Sequence, residues 1–265
     1  MSENSEDSAD SNIEMTFLEH LEEFRWTLGR SCLSFVFGLI LVFCFMKDVA
    51  GFLQLPLLKA YGSADLVDQN LITYRPMGVI SVYIQVAVLG GLSFAMPFIL
   101  YFLACFIAPG LTDSERKVLA PSCLGAFLMF LIGVFFAFWI VLPLTLGFTV
   151  RLNEMLGFEL LWAASDYYNL VVWFSLASGV FFQFPLVILV LVFLDIVPVA
   201  LLKRSRATVF VALMIFSALM SPGGDFLSLP ITTAMLYLLY EFSILIGSKI
   251  DKRRSNAVMQ SMDDL

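Results

Sequence analysis

Apolar and polar residues follow one another along this chain in long blocks, without the two-residue alternation of strands. Apolar stretches at about 26–46, 77–107, 118–147, 167–194, 207–220 and 226–247 are separated by short polar segments. A helix rises about 1.5 Å per residue and the hydrocarbon core of a bilayer is about 30 Å thick, so the six blocks predict six membrane-spanning helices, five of them of full length. The fifth, 207–220, covers only about 21 Å as a helix and has to thin the bilayer or be sheltered by its neighbours. Ahead of the first block, Ile13, Phe17, Leu18, Leu21, Phe24 and Leu28 recur at helical spacing, with Glu19, Glu22 and Glu23 on the other face. That pattern predicts a short amphipathic helix lying on the membrane surface and running into the first span.

The polar segments complete the plan. Residues 1–12, MSENSEDSADSN, predict a disordered acidic tail and residues 249–265 a polar tail, leaving 13–248 as a single membrane domain. Residues 47–76, with Lys47, Asp48, Lys59, Asp65, Asp68 and Arg75, are too polar to cross and predict a loop with short helices. Residues 148–166 predict a second loop on the same side, and PGLTDSERK (109–117) a turn whose Thr112 or Asp113 caps the next helix. Pro97, Pro121, Pro143 and Pro185 fall inside spans, where each removes a backbone donor and permits a bend.

Composition agrees with this and narrows it. The 265 residues are 60% hydrophobic and 14% charged, against about a quarter charged in soluble domains. The chain is therefore expected to be an all-α integral membrane protein, since a barrel would show ten-residue alternating strands. The net charge of −7 is local, because eight of the 22 acids lie in the first 23 residues. No Lys or Arg precedes Arg25, so the start lacks the basic region of a cleaved signal peptide and is expected to be retained. With the N-terminus inside and six spans, 11 of the 15 Lys and Arg residues fall on the inner side, which predicts both termini in the cytoplasm.

Several chemistries are excluded. Cys32, Cys44, Cys105 and Cys123 form no CxxC pair and read as buried small hydrophobes. A single histidine, His20, leaves no material for a histidine metal cluster, bis-histidine haem or a Ser-His protease within the membrane. No cofactor, metal, catalytic residue or nucleic-acid partner is expected; lipid is the surrounding partner.

Three groups of polar residues remain. Glu23 and Arg25 in HLEEFR, with Glu115 in SERK, place two carboxylates near the inner surface. One reading is a self-neutralising network of helix ends. The other is a receptor for a basic peptide, because a carboxylate accepts an arginine fork in two parallel hydrogen bonds, and two carboxylates can hold adjacent arginines and reject lysines. Gln183, next to Pro185 in FQFP, lies deep in the fourth span and needs a hydrogen-bonding partner, such as a backbone carbonyl freed by Pro185. Asp225 is placed to cap the sixth span, and Glu241, near its inner end, is either solvated or snorkelling. From these residues alone a small-solute secondary transporter or channel ranks first, although mid-depth polar groups are scarce; an intramembrane protease ranks far below.

The order of motifs adds a resemblance. FLEHLEEFR (17–25), FIAPGLTDSERK (106–117), FQFP (182–185), SPGGD (221–225) and LYEFSI (239–244) resemble the TatC family, the receptor subunit of the twin-arginine protein translocase, over roughly residues 15–248. The resemblance implies a six-span, glove-like monomer, N-in and C-in, with short fifth and sixth helices. It implies a receptor for twin-arginine signal peptides in a prokaryotic inner membrane, self-associating and recruiting TatA-type and TatB-type single-span subunits. Export would be of folded proteins, driven by the proton-motive force and without nucleotide binding by this subunit. Carried over by position, Glu23 and Glu115 resemble the twin-arginine-binding carboxylates, with Arg25, Phe106, Pro109 and Leu111 beside them. Pro56 resembles the proline of the family's first outer loop, and Gln183, Pro185, Asp225 and Glu241 are supporting or partner-contact positions. The chain departs from the family at Gln183, where many members carry Glu, at Gly223-Gly224 before Asp225, and at Leu229, where a polar residue is common.

Overall fold

The computed structural model describes residues 17–110, 113–194, 196–220 and 227–263, with their side chains except at 17, 110, 113–120 and 253–263. The acidic tail at 1–12, the expected cap at Thr112, Leu111 and Asp225 lie outside the described residues. In chain order the elements are α1 (Phe17–Cys44), α2 (Met46–Leu53), α3 (Leu55–Tyr61), α4 (Ala64–Asn70), β1 (Leu71–Ile72) and α5 (Gly78–Ile107). A 3-10 turn (Ala108–Gly110) leads to α6 (Asp113–Phe136), a π-helical turn (Ala137–Val141), α7 (Leu142–Leu156), β2 (Trp162–Ala163) and α8 (Ala164–Phe181). Then follow α9 (Phe184–Phe193), α10 (Val199–Arg204), α11 (Arg206–Met220) and α12 (Ser228–Asp263).

Among the described residues, five segments are long and apolar enough to cross a membrane: Leu18–Cys44, Gly78–Ile107, Pro121–Leu156, Ala164–Phe193 and Ser228–Lys252. The helix of the fifth apolar block, α11, has 15 residues. Where the helices differ from the expected blocks, local chemistry explains it. No break separates a surface helix from the first span: α1 is continuous from Phe17, and its apolar positions Leu18, Leu21, Phe24 and Leu28 are all exposed on the protein. No Pro lies between 18 and 44 and the helix continues through Gly29, so the surface segment and the span merge.

The third span does not stop near 147 but runs to Leu156, because Thr149 and Asn153 return their side chains to the carbonyls one turn back, at Thr145 (3.0 Å) and Thr149 (2.8 Å). It ends where Gly157 adopts φ 73°, with Phe158 N–H donating to Asn153 O and Gly157 N–H to Glu154 O, the Schellman arrangement. Inside this span Pro143 has no N–H for the Trp139 carbonyl, and the helix widens just before it, Leu142 N–H donating to Ala137 O five residues back. The fourth span breaks at Phe182-Gln183 for the same reason, with Pro185 in the first turn of α9. The sixth helix is not short: with no Gly or Pro after Gly247 to stop it, α12 extends for 36 residues.

Close helix crossings hold the bundle. α1 packs along α5 at facing glycines, where a Cβ on Gly38 would lie 2.6 Å from the Gly91 carbonyl oxygen. α6 meets α8 at Gly133 and Gly179, and Ser178 Oγ donates to Gly133 O at 2.9 Å. Without lipid-excluding hydrophobic force between helices, such small residues allow the van der Waals contact that joins them. Phe130 and Phe182 fill the space left over that seam.

At one end, the two loops interlock into a roof. Tyr167 and Tyr168, at the start of α8, donate to Leu53 O (2.7 Å) and Ala50 O (3.0 Å), and Gln54 Nε2 donates to the Tyr168 hydroxyl (3.0 Å). β1 and β2 pair in parallel, Leu71 with Trp162 and Ile72 with Ala163, a link between the loops that two-residue strands cannot announce in a sequence.

Candidate functional site at the end opposite the roof

α1 begins, α5 ends and α6 begins at the end of the bundle away from the roof. Because α1 and α5 run antiparallel, residues 20–24 come against the last turn of α5. The His20 ring stacks on Phe106, centroids 4.4 Å apart and planes 21° apart, and Phe24 meets the same ring at 5.6 Å. Between them along α1 stands Glu23, half-buried, with Oε2 out of contact with solvent and accepting no hydrogen bond among the described residues. A carboxylate oxygen held this way is costly without a donor, and a guanidinium or ammonium brought by another molecule supplies one.

Arg25 does not serve Glu23. Its Nη2 lies 3.0 Å from Glu22 Oε1, one turn back on the exposed face, and both side chains are largely in solvent at 71% and 63%. The i, i+3 spacing of Glu22 and Arg25 makes this the local choice, so Arg25 neither orients Glu23 nor closes over it. Its guanidinium also sits 5.8 Å from the Trp26 ring. Phe106 is half-buried under α1, and Pro109 is exposed in the 3-10 turn that follows. Glu115 lies on the first turn of α6, at the same end, with its side chain outside the described ones; Leu111 is outside the described residues altogether.

The remaining positions are separate from this cluster. Pro56 is buried in the first turn of α3, in the roof at the far end of the bundle. Gln183 Nε2 donates to Ala126 O of α6 at 2.9 Å, so its partner is a carbonyl on another helix and not one freed by Pro185. The Gln183 Oε1 atom is buried and accepts no hydrogen bond among the described residues. Pro185 is buried at the kink. Asp225 lies outside the described residues, and Leu229, with its carbonyl bonded to Thr233 Oγ1 at 2.8 Å, opens α12.

Glu241 is held in a pair of contacts instead of standing free in solvent. Arg206 Nη2 donates to its Oε2 at 2.8 Å and the Tyr237 hydroxyl to its Oε1 at 2.9 Å, tying α11 to α12 with the carboxylate only 26% exposed. Nearby, the Tyr240 hydroxyl donates to Leu202 O of α10 at 2.8 Å. Sequence reasoning named Glu241 without its partners, although Tyr237 stands one helical turn before it. It also named Phe106 without His20 and Phe24 as the rings that hold it, although all three lie in the quoted motifs. Among the described residues no group of three or more His, Cys, Asp or Glu side chains is arranged to hold a metal ion.

Comparison with known proteins sets this geometry in a family. The family model "Sec-independent protein translocase protein (TatC)" matches residues 19–234. The Sec-independent protein translocase protein TatC of Aquifex aeolicus is 32% identical over 249 residues, covering 93% of this chain and all of that one. The TatCy protein of Bacillus subtilis is 30% identical over 88% of this chain and 89% of its own. A crystal structure of the twin-arginine translocase receptor TatC superposes with a TM-score of 0.76 at 31% identity, covering 88% of this chain and 100% of that one.

Proposed function

The chain belongs to the TatC family, and on that footing we propose that it is the subunit of its translocase that receives twin-arginine signal peptides. It is a multi-span membrane protein and a component of a Sec-independent, twin-arginine protein translocase. The observation that carries the finer reading is the half-buried Glu23 carboxylate, whose Oε2 has no donor among the described residues beside the His20–Phe106 stack. A guanidinium of the incoming peptide satisfies that oxygen with a charge-assisted fork; Glu115, at the same end on α6, takes the second arginine. Phe106 and Pro109 form the apolar border of the site, Leu111 is assigned to it by resemblance alone, and Arg25, paired with Glu22, screens its exposed edge.

In this mechanism the signal peptide is captured at the inner surface, TatA-type and TatB-type single-span subunits join, several copies of this chain associate, and the folded cargo crosses on the proton-motive force. No covalent step and no cofactor enters. The excess of Lys and Arg on one set of loops supports a cytoplasmic placement of both termini in a prokaryotic inner membrane. Gln183, bonded to Ala126, acts in this scheme as a neutral inter-helix tie and puts an amide, not a proton-carrying carboxylate, at that position.

The test is binding of the detergent-purified protein to a signal peptide carrying Arg-Arg and to its Lys-Lys twin, in the wild type and in Glu23→Ala/Glu115→Ala. Preference for Arg-Arg is expected in the wild type, and removing one partner of such a buried charge pair costs about 2–5 kcal/mol. Normal capture by the double variant would sink the assignment.

A further inference from the structure

The face of the bundle beneath the roof carries a second feature that the receptor reading leaves unused. Between α5 and the α6–π segment, with α8 behind and α2 above, lies an apolar groove of about 570 Å³. Phe52, Leu89, Leu128, Leu131, Phe135 and Trp139 make most of its wall. Among its described lining, Ser93 and Ser175 contribute side-chain hydroxyls, and the Ser175 hydroxyl is buried without a hydrogen-bonding partner among the described residues. Phe52, Leu128 and Phe135 are exposed, so the groove opens sideways toward the lipid.

At the roof end of this groove stands a cation. Lys59 of α3 is exposed, and its Nζ lies 3.9 Å from the centre of the Trp139 ring, which is itself part of the wall. No carboxylate pairs with Lys59 among the described residues. Tryptophan and lysine together mark the depth at which hydrocarbon gives way to headgroups, the indole at the boundary and the ammonium reaching outward from it.

From this juxtaposition we propose that the groove binds one acyl chain of an anionic glycerophospholipid, whose headgroup phosphate pairs with Lys59. Volume and charge choose this occupant over a protein helix. A helix is about 10 Å across, so 570 Å³ is filled by little more than one of its turns, whereas a flexible hydrocarbon chain fits a narrow slot along its length. A transmembrane peptide would also leave the Lys59 ammonium unmatched unless it carried an acid at that one depth. An anionic headgroup provides the charge wherever it diffuses, and its net charge distinguishes it from a zwitterionic lipid of the same chain length. The inference stands on the groove and Lys59 alone and is independent of Glu23.

Trp139 reports on the site directly. The full chain is reconstituted into phosphatidylcholine bilayers doped with increasing mole fractions of either dibrominated phosphatidylglycerol or dibrominated phosphatidylcholine. Subtracting the emission of Trp139→Phe isolates the Trp139 signal from Trp26, Trp162 and Trp173. Brominated phosphatidylglycerol is expected to reach half-maximal quenching at about fivefold lower mole fraction, the worth of one cation beside an anionic lipid. Lys59→Gln should bring the two lipids level, and Lys59→Arg should keep the preference, which separates loss of charge from loss of fold. Equal quenching by the two lipids in the wild type overturns the proposal. So does absence of quenching by either, the result if a second copy or a peptide helix covers Trp139.

Discussion

The two ends of the bundle are built to different rules. In the roof, Leu57 is 0% exposed, Pro56, Tyr167 and Tyr168 are buried, and among the described residues four side-chain hydrogen bonds join α2, Gln54 and α3 to α8 and to Leu160 ahead of β2. At the opposite end, α1 offers Leu18 at 75% exposure, its Arg25–Glu22 ion pair lies in solvent, and Glu23 holds an oxygen with no donor among the described residues. A polar loop can stay rigid only when its backbone groups are satisfied, and the roof satisfies them with Tyr and Gln side chains drawn from a span. A receiving surface needs the reverse, groups left for the ligand to satisfy, and such surfaces come from the less stable parts of a protein. On the proposed reading, the contrast explains why Glu23, the described acid proposed to receive an arginine, has an oxygen without a partner among the described residues.

Truncation should separate the ends most strongly. Leu57→Ala in the roof is expected to lower unfolding free energy by about 2–5 kcal/mol, while Leu18→Ala at the other end stays within about 0.5 kcal/mol. Thermal or denaturant unfolding in one detergent measures both, and equal losses would remove the contrast. Next, Tyr168→Phe takes away the donor to Ala50 O and the acceptor for Gln54 Nε2, at an expected cost of about 1–3 kcal/mol. An unchanged midpoint would show that water replaces the hydroxyl and that the roof is wetter than its burial implies. A smaller effect belongs to the Arg206–Glu241 pair on the receiving side. With Arg206 47% exposed, the coupling energy from the Arg206→Gln and Glu241→Gln double-mutant cycle should be only about 0.5–1 kcal/mol. A coupling several times larger would make that end as firmly tied as the roof.

Much of this architecture was legible in the sequence because it rests on length and hydropathy, which need no knowledge of neighbours. Six apolar blocks, a short fifth span and kinks at Pro143 and Pro185 are of that kind. What was not legible depended on partners brought from far along the chain. Gln183 announced that it needed a donor or acceptor, but Ala126 O is 57 residues away and any exposed carbonyl would have served equally. The run to Leu156 was hidden because Arg151, Asn153 and Glu154 look like loop residues, whereas Thr149 and Asn153 satisfy the helix they lengthen. At the receiving end the motif placed Glu22, Glu23 and Arg25 side by side without saying which acid holds the arginine. Helical spacing decides it, since residue 22 lies three before Arg25 and Glu23 only two.

That division between neighbouring acids leads to the smallest expected change in stability and the sharpest test of the contrast. Glu22 has a solvent-exposed partner, so Glu22→Gln removes an ion pair worth about 0–1 kcal/mol and should leave signal-peptide binding close to that of the wild type. Glu23→Gln keeps the shape of the side chain and removes only its charge. Because Oε2 accepts no hydrogen bond among the described residues, the fold loses no bond to it, and the unfolding midpoint should stay the same or rise. Preference for the Arg-Arg peptide over its Lys-Lys twin should nevertheless fall away, because an amide presents one acceptor where the guanidinium fork needs two. If Glu23→Gln instead destabilised the chain as a roof substitution does, the carboxylate would be a structural member, and the two ends would obey the same rule.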